Sequence, residues 1–181
     1  WPVQGFRDTY FAMESDTRFV YREYIGFRQV LQVVGGGHCA LALSKLMAGM
    51  DFFIRVLDDR PGLSTMESNA YAHEMVTLES YEQLERYCQS GDRVYTVIMT
   101  FGFRTDDQAF RSIAAMPFRY IGILGSQHKM KTLFDQYRLE GMPESFLQRV
   151  RTPIGVSINS QTPEEIAISI AAEIIAEKNK R

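Results

Sequence analysis

Residues 35–40 read Gly-Gly-Gly-His-Cys-Ala and fit the G-x-G-x-x-A pattern of a phosphate-binding turn. In that pattern Gly35 permits a tight turn, Gly37 lets the backbone approach an anion, and Ala40 lets a helix pack near a strand. Free amide hydrogens and the dipole of the following helix then favour a phosphate group. We favour a ligand-binding turn. The alternative is a tight turn with nothing bound.

His38 and Cys39 fall in the first turn of the helix that this pattern predicts. A helix N-terminus can lower the pKa of a thiol, so Cys39 is a candidate reactive thiol or soft ligand. We favour the alternative, a small side chain packed on the sheet, because free cysteine is among the most buried residue types. His38 is predicted to face a crevice, where it could bond a ligand oxygen.

Two acidic residues, Asp58 and Asp59, come directly after the next apolar run. In a dinucleotide site one of them would accept hydrogen bonds from a ribose. They could equally be turn formers ahead of Arg60. Both interpretations can hold, since one carboxylate can serve each purpose.

A second glycine- and serine-containing turn, Gly125 and Ser126, follows another apolar run. It predicts a second anion site with Lys129 and Lys131 nearby. The alternative is an ordinary capped helix with solvated lysines. Arg104, after a third strand, could pair with phosphate or simply be exposed.

The elements that position these residues alternate between strand and helix over 28–140. Short apolar runs predict strands at 30–34, 52–57, 74–77, 94–99 and 120–124. Capping patterns predict helix starts at Ser80, Thr105, Ser126 and Thr162. Such alternation predicts a doubly wound parallel α/β sheet with helices on both faces. Numbering these five predicted strands 1 to 5 along the chain, we expect the order 3-2-1-4-5 in the sheet. This order places the switch point between the first strand and the one ending at Met99.

The N-terminal segment has a different pattern. Residues 9–13 and 18–24 are rich in β-forming residues and predict a hairpin. Its tyrosines and phenylalanines could form an interface, and a homodimer is predicted; they could equally pack on the sheet edge. Because the chain starts at Trp1 rather than Met, we expect a fragment or a disordered start.

Composition excludes several classes of protein. The chain has 181 residues, 45% hydrophobic and 23% charged, with a net charge of −2, which excludes a disordered chain and does not suggest a nucleic-acid surface. No apolar stretch approaches the roughly 18 residues of a membrane span. Two cysteines and three scattered histidines provide neither a disulfide framework nor a zinc site, and no metal site is predicted. Without a recognisable signal peptide, a cytoplasmic location is expected.

Four stretches taken together resemble the XdhC/CoxI family, accessory proteins of molybdenum hydroxylases such as xanthine dehydrogenase. The matching residues are 33–38, 56–61, 121–126, and 153–156 running on to 162–167. The resemblance implies a Rossmann-like cofactor-binding domain over 28–181, preceded by a hairpin extension over 1–27. It also implies that the protein binds the molybdenum cofactor, assists its sulfuration with a cysteine desulfurase, and delivers it to an apo molybdenum hydroxylase.

The predicted cofactor-binding residues combine the motif and the resemblance. They are Gly35, Gly36, Gly37, His38, Cys39, Asp58, Asp59, Gly125 and Ser126. The sequence departs from the family at 100–103, where Thr-Phe-Gly-Phe replaces the usual Thr-His-Asp-His. The family's further N-terminal segment, which carries its own glycine and cysteine motif, is also not among these residues.

Two other functions stay open. The glycine pattern allows an NAD(P)-dependent oxidoreductase, but the sheet and helices use most of the chain and leave little for a substrate domain. A Tyr-x-x-x-Lys pair is also missing from the sequence. The third function is a non-catalytic nucleotide-binding module that contacts a partner through the hairpin and the last helix. A non-catalytic role is favoured over an enzymatic one.

Overall fold

A computed structural model describes residues 10–23 and 25–180. The strands are β1 (Tyr10–Ser15), β2 (Arg18–Arg22), β3 (Gln29–Val34), β4 (Phe52–Asp58), β5 (Glu74–Thr77), β6 (Gly91–Ile98), β7 (Phe118–Ile123) and β8 (Val150–Arg151). The α-helices are α1 (His38–Met47), α2 (Ser64–Glu67), α3 (Phe103–Ile113), α4 (Gln127–Leu139), α5 (Glu144–Leu147) and α6 (Pro163–Lys178), and a 3₁₀ helix covers Tyr81–Arg86.

Strands β3 to β8 form one parallel sheet in the order β5-β4-β3-β6-β7-β8. The predicted order of the first five sheet strands is confirmed, and β8 adds a sixth at the edge beside β7. From β3 the chain moves outward to β4 and β5, returns to β6 on the other side of β3, and then moves outward to β7 and β8. The switch point therefore lies between β3 and β6. Ligands of such sheets bind outside the carboxyl ends of the strands at this point.

Helices cover both faces of the sheet, as predicted. On one face Leu31 and Val33 of β3 pack with buried residues of α1 and α6, including Leu43 and Ile170. On the other face a second apolar cluster joins Val34 to the 3₁₀ helix, α3 and α4. Since both faces are buried, the strands read as nearly continuous apolar runs in the sequence.

A buried polar network ties the central strands together on one face. Arg55 of β4 is 6% exposed and donates to the carboxylate of Glu74 on β5, at 2.6 and 3.1 Å. It also donates to Gln32 of β3 at 2.9 Å, and Gln32 in turn bonds Thr96 of β6. Buried polar groups need such partners, and these fix the relation of four adjacent strands.

The predicted N-terminal hairpin is confirmed as the antiparallel pair β1–β2, with Ala12 opposite Val20. The rings of Phe11 and Phe19 lie 5.6 Å apart, and both side chains are largely exposed. Residues 9 and 24, at the ends of the predicted strands, lie outside the described residues. Of the helices in the described part of the chain, none has the length and apolar character needed to cross a membrane.

The predicted start at Ser80 is confirmed, since the Ser80 hydroxyl accepts from the amide of Glu82, but the type of that helix and the start at Thr105 are wrong. After Ser80 the chain forms a 3₁₀ helix rather than an α-helix, because the backbone of Gln83 leaves helical geometry. The Gln83 side chain accepts from Arg86 instead of returning to the cap. Helix α3 begins at Phe103, and the Thr105 hydroxyl accepts from the amide of Gly102 rather than capping a later helix.

The starts at Ser126 and Thr162 are confirmed. The hydroxyl of Ser126 accepts from the amide of Lys129, and that of Thr162 accepts from the amide of Glu165. Thr162 and Glu165 form the predicted reciprocal capping box, with Pro163 at the first helical position.

Candidate functional site

The carboxyl ends of four neighbouring strands bring the predicted site residues to one edge of the sheet. Segment 35–38 follows β3, 58–60 follows β4, 100–103 follows β6 and 125–129 follows β7. All nine residues predicted to bind a cofactor lie in or next to these segments. The topology therefore places them together at the carboxyl edge of the sheet, where the ligands of such folds bind in a crevice.

The three glycines after β3 have different environments. Gly35 has φ +105°, and a Cβ there would contact the Met99 carbonyl oxygen and lie 2.8 Å from the Thr100 Cα. A Cβ on Gly36 would lie 2.5 Å from the Met66 side chain. A Cβ on Gly37 would meet nothing within 4 Å. Gly35 and Gly36 therefore allow close packing, and Gly37 faces open space.

Helix α1 presents its amide end to that space. Gly37 is its N-cap residue, and among the described residues no side chain caps the helix there. The first amides of a helix lack carbonyl partners within it, and the helix dipole adds positive potential. This end of α1 can accept an anionic group at Gly37 and His38.

Asp58 fixes the glycine turn. It is fully buried, and its Oδ2 accepts from the amide of Gly36 at 2.7 Å. Arg60 donates to the same carboxylate from its backbone amide and from two guanidinium nitrogens, at 2.7 to 2.9 Å. Burial alone would raise the pKa of Asp58, but the hydrogen bonds from Arg60 and Gly36 hold that pKa below its ordinary value.

The two predicted acids thus have different surroundings. Asp58 uses both oxygens within the protein, as a turn-forming carboxylate does. Asp59 is half-buried beside it. Of the two, Asp59 is the better placed to accept a hydrogen bond from a ligand hydroxyl.

A second buried aspartate, Asp106, organises the other side of the crevice. Asp106 is 1% exposed, and its Oδ1 accepts from the amide and hydroxyl of Thr100 at 3.0 and 2.6 Å. Its Oδ2 accepts from Lys129 Nζ at 2.7 Å. The sequence carries no signal for this group, because Thr100, Asp106 and Lys129 meet only when β6, α3 and α4 are assembled.

Each buried aspartate therefore holds a cation beside an aromatic ring. The Arg60 guanidinium carbon lies 5.8 Å from the centre of the Phe101 ring, and Lys129 Nζ lies 6.0 Å from that of Phe103. Phe101 is 88% exposed. Cations and flat apolar surfaces in one crevice suit a planar ring system that carries negative charge.

The turn after β7 is less open than the sequence suggests. A Cβ on Gly125 would lie 2.6 Å from the Met130 side chain, and the Ser126 hydroxyl caps α4. Lys131 pairs with Asp135 on its own helix. Of the two lysines predicted here, Lys129 is the one held at the crevice, by its ion pair with Asp106.

The structure supports the structural interpretation of Cys39. Its half-buried side chain, on the first turn of α1, packs against the apolar core between α1 and the sheet. Burial raises the pKa of the Cys39 thiol, and the carboxylate of Glu164 raises it further. The thiol is therefore protonated at neutral pH. His38, in the first turn of α1, is exposed. Within 10–23 and 25–180, no cluster of three or more His, Cys, Asp or Glu could hold a metal ion.

We expect iodoacetamide at pH 7 to alkylate Cys39 more slowly than a free cysteine peptide, because the thiolate is the reactive form. Glu164→Gln should speed the reaction by removing one cause of the raised pKa. Cys88, whose pKa burial raises to about 12, should react slowest. Peptide mass spectrometry over time measures all three rates. Labelling of Cys39 faster than the free peptide would contradict the assignment.

A family model and two curated relatives match most of this chain. The family described as "XdhC Rossmann domain" matches residues 31–174. A protein named "Uncharacterized protein YqeB" from Escherichia coli (strain K12) is 29% identical over 154 residues, which cover 85% of this chain and 28% of that protein. A probable xanthine dehydrogenase subunit from Bacillus subtilis (strain 168) is 28% identical over 150 residues, covering 83% of this chain and 43% of the relative.

A solved structure has the same fold. The crystal structure of a xanthine dehydrogenase from Bacillus halodurans superposes with a TM-score of 0.72 at 28% identity, covering 85% of this chain and 44% of that one. The chain spans less than half the length of each of these three relatives.

Proposed function

The chain belongs to the XdhC family through its Rossmann domain, and from that premise we propose that it binds the molybdenum cofactor for a xanthine dehydrogenase-type enzyme. In this proposal it assists sulfuration of the cofactor by a cysteine desulfurase and delivers it to the apo-enzyme. The observation that carries the proposal is the open amide end of α1 at Gly37, located at the switch point of the sheet.

The residues of the crevice fit the phosphate of a molybdopterin. The amides at Gly37 and His38 would donate to its oxygens, with the dipole of α1 behind them. Arg60 and Lys129 place cationic N–H donors on either side, and each is held by an ion pair with a buried carboxylate. Fixed donors lose little entropy when a ligand binds.

The pterin ring fits the aromatic side of the crevice. Phe101 offers an exposed flat surface, and Asp59 could accept hydrogen bonds from ring amino groups. When bound, the cofactor would supply the molybdenum centre that a hydroxylase requires. This chain's own residues would bind it, orient it and shield one face of the ring.

Exposure of the crevice suits transfer to another protein. Phe101 is 88% exposed and His38 is also exposed, so one side of a bound ligand would stay accessible. Because the Cys39 thiol is protonated, we assign the sulfur-donating role to the desulfurase.

The hairpin β1–β2, with its exposed apolar side chains, is the surface we propose for a partner or for a homodimer.

One observation favours a second candidate, an NADP-binding module. Arg60 follows β4 beside Asp58 and Asp59, and an arginine at this place can accommodate the 2′-phosphate of NADP. Calorimetric titration with NAD and NADP in both redox forms tests it. Tight binding of either would favour this candidate over the cofactor chaperone.

To test the proposal, the protein is incubated with free molybdenum cofactor, desalted, and oxidised so that bound pterin becomes fluorescent. Gly37→Asp should reduce the retained pterin at least about tenfold, because it puts a negative side chain at the anion site. Gly49→Asp is a matched control, since a Cβ on Gly49 also meets nothing within 4 Å but lies outside the crevice. Wild-type protein without pterin, or equal retention by Gly37→Asp, would refute the proposal.

A further inference from the structure

A cavity of about 170 Å³ lies at the amino ends of β7 and β8, beside the last turn of α6. Its polar walls include Arg119, Arg149, Arg151 and Glu177. The strand β7 is six residues long, so the cavity is roughly 20 Å from the crevice at the other end of that strand. It is therefore a separate feature of the molecule.

The charges around this cavity are unbalanced. Glu177 is the acidic residue among its lining groups, against three guanidinium groups. Its carboxylate is 3.8 Å from both Arg119 and Arg151, longer than a hydrogen bond, and its close partner is Lys180. One carboxylate is thus shared among several cations, and the cavity keeps a net positive charge.

Two of the guanidinium groups are held in place by backbone carbonyls. Arg119 Nη2 donates to the Glu177 carbonyl oxygen at 3.1 Å, and Arg149 Nη2 donates to that of Met116 at 3.1 Å. A guanidinium has five N–H donors, so Arg149 keeps donors for another acceptor beside its carbonyl bond, and Arg119 keeps some beside its bonds to the Glu177 carbonyl and the Tyr95 side chain. Arginines fixed in this way are suited to bidentate recognition of an anion.

We propose that this cavity binds a phosphate group of a small molecule. A phosphate monoester carries a charge near −2 and three terminal oxygens, which matches three guanidinium groups better than a single carboxylate does. The volume is sufficient, since a cavity of about 150 Å³ accommodates a benzene molecule. The inference rests on the arginines alone and does not depend on the proposed cofactor function.

The test follows the arginine side-chain Nε–H signals of the full chain by NMR during titration with inorganic phosphate, with sodium chloride at matched ionic strength as the reference. We expect saturable shifts for Arg119 and Arg149, with a Kd of about 1 mM or tighter. Arg119→Gln and Arg151→Gln should each weaken binding several-fold. Arg138→Gln, on the exposed face of α4, is the matched control and should leave the Kd unchanged.

Two outcomes would overturn this proposal. The first is the absence of saturable shifts at these arginines, or shifts that sodium chloride reproduces. The second is a phosphate Kd that survives Arg119→Gln and Arg151→Gln but is lost in Gly37→Asp, which would assign the binding to the crevice. Failure of the crevice to retain pterin would leave the phosphate result at the arginines unaffected, so the two proposals fail separately.

Discussion

Replacing Gly35 with alanine is expected to lower the free energy of unfolding by about 3 kcal/mol or more. Two causes act together. The backbone at Gly35 has φ +105°, a conformation that costs energy for any residue with a Cβ. The new methyl group would also meet backbone atoms of Met99 and Thr100 at the end of β6, which cannot rotate away as a side chain could. Urea unfolding followed by circular dichroism measures the change.

Gly37→Ala is the matched control for this effect. Gly37 has φ −72°, and a Cβ there meets nothing within 4 Å. Alanine is a poorer N-cap than glycine, so we expect a loss of about 1 kcal/mol or less. Equal destabilisation by the two substitutions would show that the turn does not have the described geometry.

Replacing Asp58 with asparagine should have the second largest effect, a loss of about 2–3 kcal/mol at pH 7. The substitution removes the buried negative charge that accepts from the amide of Gly36 and from Arg60. The Arg60 side chain is 38% exposed, and water can solvate it, so the cost stays at or below the lower end of the range for a broken, fully buried pair. Asp59→Asn, at the half-buried neighbour, should change stability by less than about 0.5 kcal/mol.

The effect of Asp58 should depend on pH in a defined direction. Because folding lowers the pKa of Asp58, its stabilising contribution is present above the unfolded pKa of about 3.9 and is lost as the pH falls through the folded value. The difference between the wild type and Asp58→Asn should therefore be largest near neutral pH and shrink below about pH 4. Urea unfolding at a series of pH values checks this. A difference that grows in acid would contradict the assigned role.

The architecture could be predicted from the sequence because its signals are local. Each central strand is a short apolar run, and the reciprocal cap at Thr162 and Glu165 is encoded within four positions. The elements that the sequence patterns do not predict are short. Helices α2 and α5 have four residues each and β8 has two, so none shows a hydrophobic period.

The site was predicted less completely because its residues act through distant partners. The G-x-G-x-x-A pattern located the turn, but only the packing of Met99 and Met66 distinguishes Gly35 and Gly36 from the open Gly37. The pairing of Asp106 with Lys129 joins two helices and has no sequence pattern. Asp58 was assigned to a ribose or a turn, and its bond to the amide of Gly36 decides how its oxygens are used.

We propose that the amide end of α1 holds the phosphate of a molybdopterin, and mass spectrometry of the small molecule released on denaturation identifies the bound ligand. The protein is first incubated with free molybdenum cofactor and freed of unbound ligand. We expect a pterin-derived species from the wild type and Gly49→Asp, and its loss from Gly37→Asp. Release of a nicotinamide dinucleotide, of no small molecule, or of equal pterin from Gly37→Asp would contradict this assignment.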